Sequence, residues 1–268
     1  EIDKESWCIS PKEIESLISS KTKAIMVVHL YGQVADVQMI KEICLKNRIH
    51  FIEDCAEAIG SSYDGNPVGV FGDIATFSFF GNKTISTGEG GMLLFKDKSL
   101  AMKSRILRDH GMNPNMKYWH EIAGYNYRLT NMQAAVGLAQ LERFESIVEK
   151  KIIISNWYKE KLGDCKGIIQ KPLCLDLVKH SNWLFTIILD ESIDKEVVIK
   201  KLFGFGIEAR RVFYPLNIMP PYNKFRSSKS LINSKYISDN GLSLPSSVNL
   251  QKNDIAYIVR CLKNILSI

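Results

Sequence analysis

An apolar run from Ala24 to Leu30 (AIMVVHL) is followed by a helix-periodic stretch and then by three more short apolar runs. That rhythm constrains the fold more than any other feature of the chain. The helical stretch starts at Asp36 and carries Met39, Ile40, Ile43 and Cys44. The later runs are His50–Glu53 (HFIE), Ile74–Phe80 (IATFSFF) and Gly91–Phe95 (GMLLF). Strands alternating with helices predict an α/β domain with a mainly parallel sheet. A parallel strand is usually covered on both faces, and Ala24–Leu30 is expected to be so covered. Ahead of it, Ser10 and Pro11 read as N-cap and first turn of a short helix over 11–20, with Ile14, Leu17 and Ile18 on one face.

After Lys98 the pattern turns helical, over 99–109 and then, as one long helix, over 131–161, where Gly137 is tolerated. A smaller α+β unit follows, with a strand at Trp183–Leu189 and helices at 195–203 and 254–266. Between them runs an aromatic, proline-rich loop, Val212 to Tyr222 (VFYPLNIMPPY). The domain boundary is expected within the long helix, giving units 1–155 and 156–268.

Charge and cysteine content remove several classes. The net charge is +6, but Lys and Arg are interleaved with Asp and Glu. This pattern predicts a mixed solvated surface and no nucleic-acid partner. No apolar run reaches the ~18 residues needed to span a bilayer. No secretory leader is read at the start of the chain, whose first residue is Glu1. The six cysteines (8, 44, 55, 165, 174 and 261) form no CxxC pair and have no zinc-ligand spacing with histidine. Reduced, partly buried thiols and a cytoplasmic setting are expected, with no metal.

Two segments carry candidate chemistry. In FIEDCAEAIG (51–60) an apolar strand ends in Glu53-Asp54. Beyond the carboxyl ends of parallel strands ligands bind, so Asp54 is either a ligand-facing carboxylate or a helix N-cap. In TFSFFGNKTISTGEGGM (76–92) a strand ends near Phe80, the chain turns, and Lys83 follows between aromatics and glycines. A phosphate-binding P-loop fails for lack of the GK[ST] signature. A lysine so placed can be desolvated into a nucleophile. A strand-end Asp, and a later Lys with a Ser shortly before it, are what a pyridoxal-phosphate enzyme needs. The amine forms the Schiff base, the carboxylate faces the pyridine nitrogen and the hydroxyl meets the phosphate.

These segments, with VVHLYG (27–32), RDHGM (108–112) and GYNYRLTNMQAAVGLAQLER (124–143), resemble the DegT/DnrJ/EryC1/StrS family of nucleotide-sugar aminotransferases, of the aspartate-aminotransferase fold (type I). The phrases FSFFGNKT, KYWHEIAGYNYRLTN and FYPLNIMPPY are most similar to the branch that aminates the 4-keto carbon of a GDP-linked deoxysugar for surface polysaccharide. The resemblance implies a large domain with a smaller α+β C-terminal domain and pyridoxal 5'-phosphate as cofactor. It assigns Lys83 as the catalytic lysine, with Asp54 on the ring nitrogen and Glu57 beside the ring. Ser78 would meet the phosphate. Asn126 would reach the phosphate of a neighbouring subunit's cofactor, which implies a homodimer with shared sites. His29, Tyr31, Arg128, Tyr214 and Asn217 would border the substrates, a nucleotide-diphosphate keto-deoxysugar and L-glutamate. For these five, packing or local hydrogen bonding is the competing reading, and interface packing competes with base stacking for Tyr118, Trp119, Tyr125 and Tyr127. Asn217 stands where many relatives have His. The family's Gly-Thr phosphate turn has no match here, so the large domain is expected to lack its N-terminal part. A non-catalytic or inactive relative is the alternative, while Lys83 itself argues against a dehydratase of the same fold with His in that place.

Overall fold

The computed structural model describes residues 1–173, 175–225 and 230–266. Cys174 therefore lies outside the described residues. The first half comprises α1 (Pro11–Glu15), β1 (Ala24–Val28), α2 (Val37–Asn47), β2 (His50–Asp54), the short β3 (Ser62–Tyr63) and β4 (Asn66–Pro67), β5 (Ile74–Ser78), β6 (Gly91–Phe95), α3 (Lys98–Arg108), α4 (Asn131–Leu141) and α5 (Phe144–Leu162). β1, β2 and β5 are parallel neighbours, and β6 closes the sheet antiparallel to β5. Local chemistry explains the helix starts. Asp36 accepts the Met39 N–H at the head of α2, and Asp97 caps α3 through the Ser99 and Leu100 N–H groups. Thr130 and Gln133 form a reciprocal capping box on α4.

Three expectations change. The first helix ends at Glu15, Ser10 makes no side-chain cap, and Leu17 is exposed. The β1 strand is covered on one face only: Ile25 and Val27 are buried, whereas Met26 is 56% exposed. The helix expected over 131–161 is two helices, because the chain turns at Glu142 and Arg143, where the Arg143 N–H bonds the Gln140 carbonyl. Gly137 is not the break. Its missing Cβ admits Thr87, whose Cγ2 would lie 2.8 Å from that atom.

The second half holds β7 (Ile168–Gln170), β8 (Val178–Lys179), β9 (Phe185–Leu189), α6 (Lys195–Gly204), β10 (Arg210–Arg211), α7 (Ile232–Asn240), β11 (Gly241–Leu244) and α8 (Lys252–Leu266). Its antiparallel sheet runs β10-β11-β9-β7. The proline-rich loop contains two 3-10 turns, Leu216–Ile218 and Pro220–Phe225.

Apolar burial, at roughly 25 cal/mol per Å2, is organised into two main cores. One lies between α2 and the parallel sheet, around Val27, Ile40 and Phe51. The other joins the end of α5 to β9, β11 and α8, around Tyr158, Phe185 and Leu242. A smaller cluster of Trp7, Tyr31, Trp183, Ile188, Val212 and Ile237 connects segments from both halves. It lies beside the lysine of the candidate site.

Candidate active site

The carboxyl ends of β1, β2 and β5 deliver His29, Asp54 and Ser78, since strand register sets Val28 beside Asp54 and Asp54 beside Thr76. Asp54, Thr76 and Ser78 share one face of the sheet by this register and the two-residue strand period. Past β5, the Lys83 N–H bonds the Phe80 carbonyl and turns the lysine back over the strand ends. Helix α4 braces this loop: the Gln140 amide accepts from the Ser86 N–H and donates to the Ser86 carbonyl, and Gln133 donates to the Glu89 carbonyl.

Lys83 Nζ lies 3.7 Å from Glu57 Oε1, and its side chain is only 13% exposed. The ammonium sits over the Trp183 ring, 4.1 Å from its centroid. Glu57 is held by its other oxygen, which accepts the Tyr31 N–H at 3.0 Å. Burial pushes the Glu57 carboxyl above its usual range, with Tyr31 and Lys83 opposing and the Asp54 charge adding to the rise. Asp54 Oδ1 accepts the Ala56 N–H, leaving Oδ2 without a hydrogen-bond partner among the described residues. Ser78 Oγ accepts the Phe80 N–H, so its own proton remains to be donated. A cleft of about 890 Å3 opens beside the lysine, lined among others by Asn82, Lys83, Trp183, Arg210, Ser246 and Asp254. Asp54, Glu57 and Ser78 lie outside its wall.

The other expected residues fall in three places. His29 is fully buried, and both ring nitrogens are taken: Nε2 faces Glu53 at 3.1 Å and Nδ1 accepts the Ala35 N–H. That fixes a neutral ring with its proton on Nε2, and a substrate-bordering role does not fit the placement. Tyr31 is buried as well, stacked between Trp183 and Phe213, with its hydroxyl accepting the Phe213 N–H. Its side chain ties the strand end to the C-terminal half, while its backbone serves Glu57. Asn126 and Arg128 lie on an exposed segment, bonded to each other, with Arg128 also paired to Asp109. Tyr214 is exposed and Asn217 half-buried in the proline-rich loop.

Glu53, His29 and Cys55 offer ligand atoms within 4.8 Å of one another. They are not a vacant metal centre. The Glu53 carboxylate already accepts from His29 and from the Gly69, Phe71 and Gly72 N–H groups. Burial alone would raise its titration point, but these hydrogen bonds outweigh it and hold the carboxyl below the usual range. Burial pushes the Cys55 thiol far up.

Sequence reasoning missed Trp183 and Lys151. Trp183 read only as a strand start, because its contact with Lys83 joins residues a hundred positions apart. Lys151 lies inside α5, where nothing in the local pattern sets it apart from its charged neighbours.

A model of the DegT/DnrJ/EryC1/StrS aminotransferase family matches residues 1–263. The chain is 42% identical over 266 residues to a GDP-perosamine synthase of Caulobacter vibrioides, covering 98% of this chain and 71% of that protein. It is 40% identical over 265 residues to a GDP-perosamine synthase of Escherichia coli O157:H7, with 99% and 71% covered. Among solved structures it resembles Helicobacter pylori PseC, an aminotransferase involved in pseudoaminic acid biosynthesis. There the TM-score is 0.93, the identity 27%, and the coverage 99% of this chain and 72% of that one.

Proposed function

The chain belongs to the DegT/DnrJ/EryC1/StrS aminotransferase family, and from that premise we propose that it transfers an amino group from L-glutamate to the 4-keto carbon of a nucleotide-linked deoxysugar, as in the synthesis of GDP-perosamine. It is an enzyme that uses pyridoxal 5'-phosphate. One observation carries the site assignment: a shielded lysine, 3.7 Å from a buried carboxylate, at strand ends that also present an unpaired Asp54 oxygen and an unspent Ser78 proton. This donor set fits the cofactor. An amine can hold its aldehyde carbon, a carboxylate oxygen its ring N–H and a hydroxyl its phosphate.

When bound, the cofactor's pyridine ring supplies the electron sink for the carbon that gains or loses the amine. Asp54 Oδ2 would face the ring nitrogen and favour its protonated form. Lys83 Nζ would hold the cofactor and, as a free amine, could carry the proton at the carbon that exchanges the amine. Glu57 orients Lys83 and is itself fixed by the Tyr31 N–H. Ser78 donates to the phosphate. The sugar nucleotide rests on the identity to perosamine synthases of two organisms.

The working unit in this reading is a homodimer. Asn126 is exposed on a segment that also exposes Tyr118, Trp119, Tyr125 and Tyr127, and Met132 and Leu138 on α4 extend this apolar surface. Exposed apolar and aromatic side chains gathered in this way are the kind of surface that an interface covers. Across it Asn126 would serve the partner's cofactor. Arg128, Tyr214 and Asn217 remain substrate-contact candidates. The two main cores support a boundary near residue 155, and five free cysteines among the described residues fit a cytoplasmic enzyme. No described helix is long and apolar enough to cross a membrane.

The deciding experiment is to add the cofactor to the purified chain, reduce with borohydride and locate the added mass. It should fall on Lys83, and glutamate added before reduction should shift the absorbance and prevent capture. Attachment to a different lysine, or indifference to glutamate, would overturn the assignment.

A further inference from the structure

The Lys83 ammonium has an ion-pair partner, the Glu57 carboxylate, and a second neighbour that is not a carboxylate. That neighbour is the indole of Trp183, a buried residue that enters from the C-terminal half. Ring and backbone together are held from three sides. The Trp183 Nε1–H donates to the Asn82 carbonyl at 2.8 Å, directly before the lysine in the chain. Lys151 Nζ, buried in α5, donates to the Trp183 carbonyl and to the Ser246 carbonyl, each at 3.0 Å. Tyr31 stacks beside the indole at 6.2 Å, and the Tyr31 N–H holds the carboxylate that faces Lys83. The seat for the amine and its counter-charge thus share one support.

We propose that Trp183 is a positioning residue for Lys83, its indole face seating the Nζ ammonium in the part of the cycle when that lysine is not bonded to the cofactor, with Asn82 holding the indole N–H and Lys151 the Trp183 backbone carbonyl. This rests on the assignment of Lys83 made above. A lysine has four rotatable bonds, and once released it can wander from the reacting carbon. An aromatic face offers an attraction that costs little desolvation and sets no strict angle. Glu57 alone could hold the charge, but a tight ion pair would also tether the amine. Shared between a ring face and a carboxylate 3.7 Å away, the amine stays close and remains able to leave.

The test compares the full-length wild type with Trp183→Phe, which keeps a ring face, and Trp183→Leu, which does not. Trp183→Met replaces the leucine variant should circular dichroism show that one unfolded. Cofactor-free protein is treated with limiting acetic anhydride, and acetylation of Lys83 is followed by peptide mass against exposed Lys12. The leucine variant should acetylate at Lys83 about fivefold faster than wild type, and the phenylalanine variant should stay within about twofold. In a single turnover with α-deuterated glutamate, the leucine variant should slow about tenfold with an enlarged isotope effect, and phenylalanine should restore most of the rate. Equal acetylation in wild type and Trp183→Leu, or equal impairment of the two variants, overturns the seat while leaving the function standing. Wild-type protein that never captures the cofactor on Lys83 overturns both.

Discussion

Glu53 Oε2 lies 3.1 Å from His29 Nε2, and neither side chain reaches solvent. Three backbone N–H groups of the loop before β5 converge on the same carboxylate. This node locks the ends of β1 and β2 to that loop, and so holds Asp54, the next residue, in place. Glu53→Gln substitutes an amide that turns its own donors toward donors. We expect a loss of about 3 kcal/mol in urea unfolding. The pH dependence gives the sign. The folded carboxyl titrates below its unfolded value, so its contribution is present above the unfolded value and is lost as pH falls through the folded one. The difference between wild type and variant should therefore shrink as pH falls below about 4.5. A constant difference down to acid pH would show that charge is not what Glu53 contributes.

Glu57 carries the opposite sign. Burial raises its titration point in the folded state, so its stabilising share is complete below the unfolded value and is lost as pH rises through the raised one. Ionisation of this carboxyl is therefore harder in the folded chain than in the unfolded one. Glu57→Gln keeps an acceptor for the Tyr31 N–H and removes the charge. Its stability relative to wild type should rise as pH rises through that raised titration point, while amino transfer falls at least about tenfold. A variant whose relative stability shows no such rise and that stays fully active would contradict this placement.

How much of this was legible depends on sequence distance. Asp54, Ser78 and Lys83 lie at strand ends within thirty positions, and strand register brings them to one edge. His29 was legible as a strand-end residue but misread as open to substrate, because the Ala35 and Glu53 contacts that bury it depend on the turn after β1. Tyr31 was read as a substrate neighbour, but it lies buried in the junction, and its left-handed backbone, which gives its N–H to Glu57, leaves no mark in composition. The open face of β1 was unreadable, since an apolar run does not reveal whether anything covers it. The break at Glu142 was missed because neither glycine nor proline marks it. It follows from α4 bracing the Lys83 loop through Gln140, a long-range demand.

Gly32 is a tight point of the junction beside the site. Its φ is +101°, and an added Cβ would stand 2.7 Å from the Asn182 nitrogen and 3.0 Å from that of Trp183. Backbone cannot yield as a flexible side chain can. Gly32→Ala should cost about 3 kcal/mol, part from the left-handed conformation and part from the clash. The displaced Trp183 should also lower Lys83 capture of the cofactor. Normal stability and capture would mean that the junction adjusts without moving the indole.

Lys151 offers a check on the same junction through pH. Buried among carbonyls, with no carboxylate paired to it among the described residues, its ammonium titrates at about 8, below its ordinary value, because burial disfavours the charge. Between pH 8 and about 10.5 the unfolded chain binds the proton that the folded chain has released, so this residue's share of stability rises with pH. Raw unfolding curves will not display the rise, since buried thiols such as Cys8 and Cys44, whose titration burial raises, pull the other way in the same range. Subtracting Lys151→Met at each pH cancels them. The wild type should gain on the variant by about 1 kcal/mol per pH unit above pH 8. Below pH 8 the difference should be flat, because the folded and unfolded lysines are then both protonated. A flat difference throughout would mean that the two carbonyl hydrogen bonds fully replace water around this ammonium, and that Trp183 is anchored by a cation that costs the fold nothing.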